Sequence, residues 1–229
     1  MTPTKPFRRV IIATPALDGR VDAIYAYALA QTTWAGAHAG VQFLPLLVTR
    51  EALIQRARND LARMALSSDA SDVIWIDSDI GWKPEWVMRL LTHQADVVGG
   101  TYRRKTDAGE AYVCKAKPSD LVPDARGLMT VEGLGAGFLR TSRRALQAVW
   151  DAAPEYRNDG IVGRMMFPVS IVDGELQSED IAFCAALRKA GYPVHLDPTI
   201  TCDHVGAKTY SGNFDAWAKM LPAPEQALA

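Results

Sequence analysis

Val73-Ile74-Trp75-Ile76-Asp77-Ser78-Asp79-Ile80-Gly81 decides how this chain is read, because an apolar run there stops abruptly at two carboxylates spaced two apart. Val73 to Ile76 has no polar alternate, the pattern of a strand buried on both faces. In an open α/β sheet, ligands bind beyond the carboxyl ends of such strands, which puts Asp77, Ser78 and Asp79 beside a ligand. Side chains two apart on an extended chain point the same way, and two carboxylates so placed repel unless a cation lies near. The competing reading is that the pair ends the strand and caps the helix that begins near Pro84.

Working outward, Val10 to Ala13 reads as a first strand ended by the turn Thr14-Pro15-Ala16, since proline removes a ladder donor. Pro15 then stands on a rim for a base or ribose. Residues 21 to 38 carry Val21, Ile24, Tyr25, Ala28, Leu29 and Thr32 at helical spacing, with Gly40 as a stop. A second strand, 41 to 48, is interrupted at Pro45, and a helix is expected from about 51 to 66. Its apolar stripe (Leu53, Ile54, Ala57, Leu61, Met64) leaves Arg56, Asn59 and Arg63 on the solvent side and Arg58 at the border. Downstream come a helix over 84 to 93 and a buried strand over 95 to 100, closed by Gly99 and Gly100, which let a ligand approach the backbone. The alternation predicts an α/β fold with a mainly parallel central sheet flanked by helices.

The second half changes character. Residues 101 to 117 form a basic, hairpin-like segment, and 120 to 127 a loop. Residues 131 to 139 read as an apolar strand with Gly133, Gly135 and Gly137 at alternate positions, which indicates close approach by backbone or ligand. A phosphate loop would need a following Gly-Lys-Ser/Thr, which is absent. A helix follows from 142 to 150, then a loop over 153 to 163, a strand over 165 to 172 and a turn at Asp173-Gly174. Ser178 reads as the N-cap of a helix opened by Glu179 and Asp180, whose charges suit the helix dipole without any further role. A last strand at 194 to 196 leads through Asp197-Pro198 to His204, and the Pro/Ala-rich end of a tail over 207 to 229 is expected to fray.

At 229 residues the chain is long enough for one domain with a sizeable core. A net charge of −1 excludes a globally basic nucleic-acid binder, and 48% apolar with 22% charged residues is an ordinary soluble composition. Cys114, Cys184 and Cys202 are odd in number and widely spaced, which favours reduced thiols. The polar start and the short run Val10 to Ala13 fit neither a signal peptide nor a membrane span, so a cytoplasmic protein is expected.

The ordered set Ala57-Arg58-Asn59, Ile74 to Ile80, Gly133 to Leu139 and Ser178 through Gly191 to His204 resembles the GT-A fold glycosyltransferases, especially small family 2-like bacterial and phage-type members. The resemblance runs from Val10 to about Gly206. It implies a single Rossmann-like GT-A domain, with a nucleotide-binding half over about 8 to 100 and an acceptor-binding half over about 101 to 206. It also implies metal-dependent transfer of a sugar from a nucleoside-diphosphate sugar to an acceptor hydroxyl. In such enzymes Asp77 would meet the ribose or reach the metal through water, while Asp79 and His204 would ligate it. A divalent ion is wanted because the leaving group is a diphosphate, and carboxylate, imidazole and phosphate donors suit Mn²⁺ or Mg²⁺, the nitrogen favouring Mn²⁺. The resemblance makes Asp180 the general base and Glu179 its neighbour at the acceptor. It sets Arg58 and Asn59 near the nucleotide, Gly99 and Gly100 near the donor sugar, and Gly135 to Gly137 under the acceptor.

The chain lacks the Gln-x-x-Arg-Trp segment of processive polysaccharide synthases, which favours a single transfer to a soluble acceptor. That acceptor is a glycan, a small molecule or a modified DNA base such as a hydroxymethylated pyrimidine. Arg103, Arg104, Lys105, Lys115, Lys117, Arg140, Arg143 and Arg144 are its candidate surface. Two alternatives stay open. A sugar-nucleotide pyrophosphorylase-like nucleotidyltransferase would want a Gly-rich basic loop after the first strand, where only Gly19 and Arg20 occur. A non-catalytic protein on the same scaffold would have no use for Asp77, Asp79, Asp180 and His204 together.

Overall fold

A computed structural model describes residues 8–206 and 208–221, so the frayed end expected beyond 221 lies outside the described residues. The first half runs β1 (Arg8–Ala16), α1 (Ala23–Ala39), β2 (Val41–Thr49), α2 (Ile54–Leu66), β3 (Asp72–Ile76), β4 (Ile80–Gly81), α3 (Pro84–Thr92) and β5 (Val97–Tyr102). The second half adds β6 (Cys114–Lys115), β7 (Met129–Val131), β8 (Gly133–Leu134), β9 (Phe138–Ser142), α4 (Arg143–Ala152), β10 (Glu155–Asn158) and β11 (Ile161–Arg164). It closes with β12 (Ser170–Val172), β13 (Glu175–Gln177), α5 (Glu179–Lys189), β14 (Val194–Val205), β15 (Thr209–Tyr210) and α6 (Phe214–Ala218).

The central sheet has the order β15-β14-β5-β9-β3-β1-β2. β1 pairs in parallel with β2 and β3, and β14 in parallel with β5, while β9 lies antiparallel between β3 and β5. The sheet core is therefore mainly parallel, with β9 reversed inside it and the short β4, β7 and β15 antiparallel to β14, none of which the alternating pattern of the first half announces. Its two faces carry separate cores. Ile11, Ala13, Val73 and Trp75 pack with Leu61, Leu146 and Phe183 under α2, α4 and α5, whereas Val10, Ile12, Ile74 and Ile76 pack with Tyr25, Ala28 and Leu90 under α1 and α3. β3 is buried at every position, as a run without polar alternates demands. Trp75 anchors one face, with the Phe167 and Phe183 rings edge-on at 5.1 and 6.0 Å.

Several expectations need correction. β1 continues through Pro15, because β3 pairs with it only as far as Ala13, so the missing N–H there leaves no β3 ladder bond unmade. Pro45 sits within β2, an edge strand, for a similar reason. The apolar run 131 to 139 breaks into β7, β8 and β9, and 153 to 163 is not a loop but contains the hairpin β10–β11. Within 165 to 172 only Ser170–Val172 is strand, paired with β13 across Asp173-Gly174.

Of the basic residues expected as acceptor surface, Arg140 and Arg143 are spent inside the fold, and Arg144 is paired at the surface. Arg140 is 5% exposed, pairs with Asp72 at 2.7 Å and donates to the carbonyls of Leu90, in the last turn of α3, and of His93 and Ala95 just after it. Arg144 pairs with Asp96. Arg143 donates to the carbonyls of Leu66 and Ser68, both at 2.7 Å, closing the C-terminal end of α2. Arg143→Ala is expected to cost about 1–2 kcal/mol, because carbonyls that lose a charged donor are only partly compensated by water. Urea unfolding should show it as a lower midpoint at unchanged slope.

Candidate functional site

The acidic turn after β3 is tied down from three sides. Asp77 N–H donates to the Gly137 carbonyl just before β9 at 3.3 Å, and Ile80 N–H closes the turn onto the Asp77 carbonyl at 3.1 Å. Asp22, the N-cap of α1, donates its N–H to the Ser78 carbonyl at 2.8 Å. Val205 N–H donates to the Asp79 carbonyl at 2.9 Å, and β4 pairs antiparallel with the end of β14, Ile80 opposite His204. A turn on the first half and a strand end from the second are thereby locked side by side. Pro15, Asp77, Ser78, Asp79 and His204 consequently share one cleft of about 270 Å³, with Leu17, Glu51 and Ile54 on its walls.

The two aspartates face different partners. Asp77 Oδ1 accepts from Arg58 Nη2 at 2.9 Å, and Arg58 Nη1 reaches Glu179 Oε1 at 2.8 Å. Arg58 is not at the solvent border of α2: it is 3% exposed, with its guanidinium 5.8 Å from the Phe167 ring centre. Burial opposes its charge, but Asp77, Glu179 and Asp180 outweigh it and hold the guanidinium above its ordinary pKa. Glu179 is raised as well, which for a carboxyl disfavours its charge. Burial raises its carboxyl, Asp180 and Asp77 add to that, and Arg58 offsets only part.

Asp79 is the site's cation acceptor. Its Oδ2 meets the Lys105 ammonium, and His204 Nε2 stands 3.6 Å from the same oxygen. Burial presses its carboxyl upward, yet His204 and Lys105 more than compensate and keep it below the ordinary aspartate value. His204 Nδ1 lies 2.9 Å from the Arg103 carbonyl, and its ring meets Tyr102 edge-on at 5.0 Å. A carbonyl can only accept, so Nδ1 carries a proton in that contact, the kind of outer contact that commonly orients a metal-binding imidazole.

The trio expected to hold a metal is not preassembled. Asp77 is turned to Arg58 and Asp79 to Lys105, and among the described residues no group of three or more His, Cys, Asp or Glu side chains is arranged around a common point. The donor chemistry of Asp79 and His204 nevertheless fits a divalent ion that also takes phosphate oxygens.

Asp180 opens on a second cleft of about 710 Å³, shared with Arg104, Val113, Lys115, Gln177 and Ile181. Its Oδ1 accepts from the Ser178 hydroxyl and from Ile181 N–H, the latter at 2.8 Å. The bridge Asp77–Arg58–Glu179 thus runs between the acidic turn and the first turn of α5.

Other expected contacts resolve into packing. Asn59 is 1% exposed and its Oδ1 accepts from Met166 and Phe167 N–H at 3.0 and 3.2 Å, so it clamps that segment to α2. Gly99 lies within β5, where an added Cβ would sit 2.6 Å from the Phe138 carbonyl, and one on Gly100 would sit 2.9 Å from the Ile200 carbonyl. Protein fills the space reserved for a donor sugar. At Gly137 a Cβ would lie 2.5 Å from Tyr102 Oη and 2.8 Å from Asp77 Oδ2, and Tyr102 Oη accepts from Gly137 N–H at 3.2 Å. The glycine run brings β9 against the acidic turn rather than under an acceptor. Sequence reasoning missed Tyr102 and the contact of Lys105 with Asp79; their signal was a tyrosine and a basic triplet directly after an apolar strand.

No protein-family model and no curated protein matches the sequence. Among solved structures, A197 from STIV aligns with a TM-score of 0.52 at 15% identity, over 90% of this chain and 95% of that one. At that identity the likeness shows a shared fold alone. A putative glucose-1-phosphate thymidylyltransferase from Bacillus anthracis, in complex with a sucrose, aligns with a TM-score of 0.39 at 8% identity, over 65% of this chain and 76% of that one. That score carries no argument about this chain. No helix among the described residues is long and apolar enough to cross a membrane.

Proposed function

We propose that this chain transfers a sugar from a nucleoside-diphosphate sugar to an acceptor hydroxyl. The observation that carries the reading is the pairing of clefts: Asp79 and His204 face one, and Asp180 faces another beyond the Asp77–Arg58–Glu179 bridge. A donor with its ribose at Pro15 and Asp77 would direct its diphosphate to Asp79 and His204. Those two residues would hold Mn²⁺ or Mg²⁺, which when bound neutralises charge developing on the leaving diphosphate. Asp180 takes the proton of the acceptor hydroxyl as that oxygen bonds to the anomeric carbon and the carbon–phosphate-oxygen bond breaks. With Arg140 and Arg143 committed to the fold and Arg144 paired with Asp96 at the surface, Arg104 and Lys115 are the cations at the acceptor cleft. Two cations fit a small glycan or small-molecule acceptor better than a phosphate-tracking DNA surface.

The test is thermal stabilisation by a panel of nucleotide sugars, with and without Mn²⁺, beside Asp79→Ala. A ligand at a hundredfold excess over its Kd adds about 2.7 kcal/mol to apparent stability. A Mn²⁺-dependent shift from one nucleotide family, lost in the variant, is expected. The absence of any shift would overturn the reading and favour a binding scaffold, and sugar-phosphate-dependent release of pyrophosphate would favour a nucleotidyltransferase.

A further inference from the structure

Asp79 already has a cation, and the chain supplies it. The Lys105 ammonium contacts Asp79 Oδ2, the same oxygen that His204 Nε2 faces at 3.6 Å. Lys105 is seated there rather than merely passing by. The loop that bears it is closed at its base by the Arg103–Tyr112 bridge and by Arg104 N–H to the Ala111 carbonyl at 2.7 Å. Its stem runs over Gly206, where an added Cβ would meet Lys105 Cδ at 3.1 Å. With its side chain 34% exposed, the ammonium remains free to swing into the cleft. A divalent ion on Asp79 and an ammonium on the same oxygen exclude one another by charge and by contact.

We propose that Lys105 is a built-in counter-ion to Asp79, which a divalent cation must displace, and that the displaced ammonium then pairs with the diphosphate of the donor. The inference rests on the reading of Asp79 and His204 as the metal end of a donor site. It accounts for two features at once: acidic residues that would repel stay paired while no ligand is bound, and a diphosphate arriving with its metal finds a further positive charge on a short tether. Metal and diphosphate then bind with positive coupling beyond their direct contact, because each removes an obstacle to the other.

The experiment titrates Mn²⁺ alone by calorimetry into the wild-type protein, Lys105→Met and Lys208→Met, then titrates inorganic pyrophosphate at saturating Mn²⁺. Lys208 is the control because it pairs with Asp107 and has no contact with Asp79. Lys105→Met should bind Mn²⁺ about fivefold more tightly than wild type, the loss of a competing part-exposed ion pair. It should bind pyrophosphate more weakly, while Lys208→Met changes neither. Equal Mn²⁺ affinity in wild type and Lys105→Met, or no Mn²⁺ binding by either, overturns the displacement. A gain of the same size in Lys208→Met makes the effect one of general charge and also overturns it. Unchanged pyrophosphate affinity overturns the second role of the ammonium. These failures are separable from failure of the transferase reading, in which no nucleotide sugar stabilises any of the proteins.

Discussion

Arg58→Ala should lower the free energy of unfolding by about 3–5 kcal/mol, the cost of removing one partner from a buried charge network and leaving the others unpaired. Arg58 is 3% exposed and bridges Asp77 and Glu179, whose side chains are 25% and 16% exposed, so water can reach neither carboxylate fully once the guanidinium is gone. Arg58→Met, which keeps most of the volume, separates the charge from the cavity and should recover only the packing part. The pH dependence gives an independent signature. Glu179 already has its pKa raised above 4.5 in the folded protein, so its protonation favours the fold, and this contribution fades as pH rises through the folded-state value. Removing the one cation that lowers it pushes that value higher still. The stability deficit of Arg58→Ala should therefore be larger at neutral than at mildly acidic pH. A deficit below about 1 kcal/mol, constant with pH, would mean that the bridge is open to solvent.

The same residue marks where the sequence stops being legible. Periodicity along α2 separates an apolar stripe from the rest and assigns the remainder to solvent, which holds only if nothing else packs there. Here the segment around Phe167 and the first turn of α5 close over that side, burying Arg58 and Asn59. These are contacts over a hundred residues apart, and no local pattern encodes them. β3, by contrast, was readable because a strand covered on both faces needs an unbroken apolar run, and the acidic turn was readable because only its end is polar. The two Asp-Gly hairpin turns carry positive φ at Asp and Gly, 47° and 80° at Asp159-Gly160 and 52° and 81° at Asp173-Gly174. The second was read as a turn. The first reads as loop although its chemistry is identical, because the flanking residues of β10 do not alternate in polarity strongly enough to mark a strand. Glycine marks a close approach without saying by what: the sequence reads Gly99 and Gly100 as admitting a ligand and the run with Gly137 as approach by backbone or ligand, and at all three the approaching atoms are protein.

With Asp180 as the proposed base, Asp180→Asn should reduce transfer about 10²–10⁴-fold while leaving donor binding intact, since that is the range a positioned general base contributes. The substitution is conservative in geometry. Ile181 N–H donates to Asp180 Oδ1 at 2.8 Å, and an asparagine oxygen accepts it equally well, so the first turn of α5 keeps its cap while the group facing the acceptor cleft loses its basicity. Folding and the nucleotide-sugar stabilisation should match wild type, and the loss should fall on kcat rather than KM because the proton moves only in the transition state. Glu179→Gln is the contrasting case: it removes the carboxylate that Arg58 Nη1 reaches at 2.8 Å, so its primary effect is on the buried bridge and on stability. If Asp180→Asn retained transfer within tenfold of wild type, the base would have to be sought elsewhere. A product keeping the donor's anomeric configuration would then explain why, since retention needs no carboxylate aimed at the acceptor from this side of the sugar.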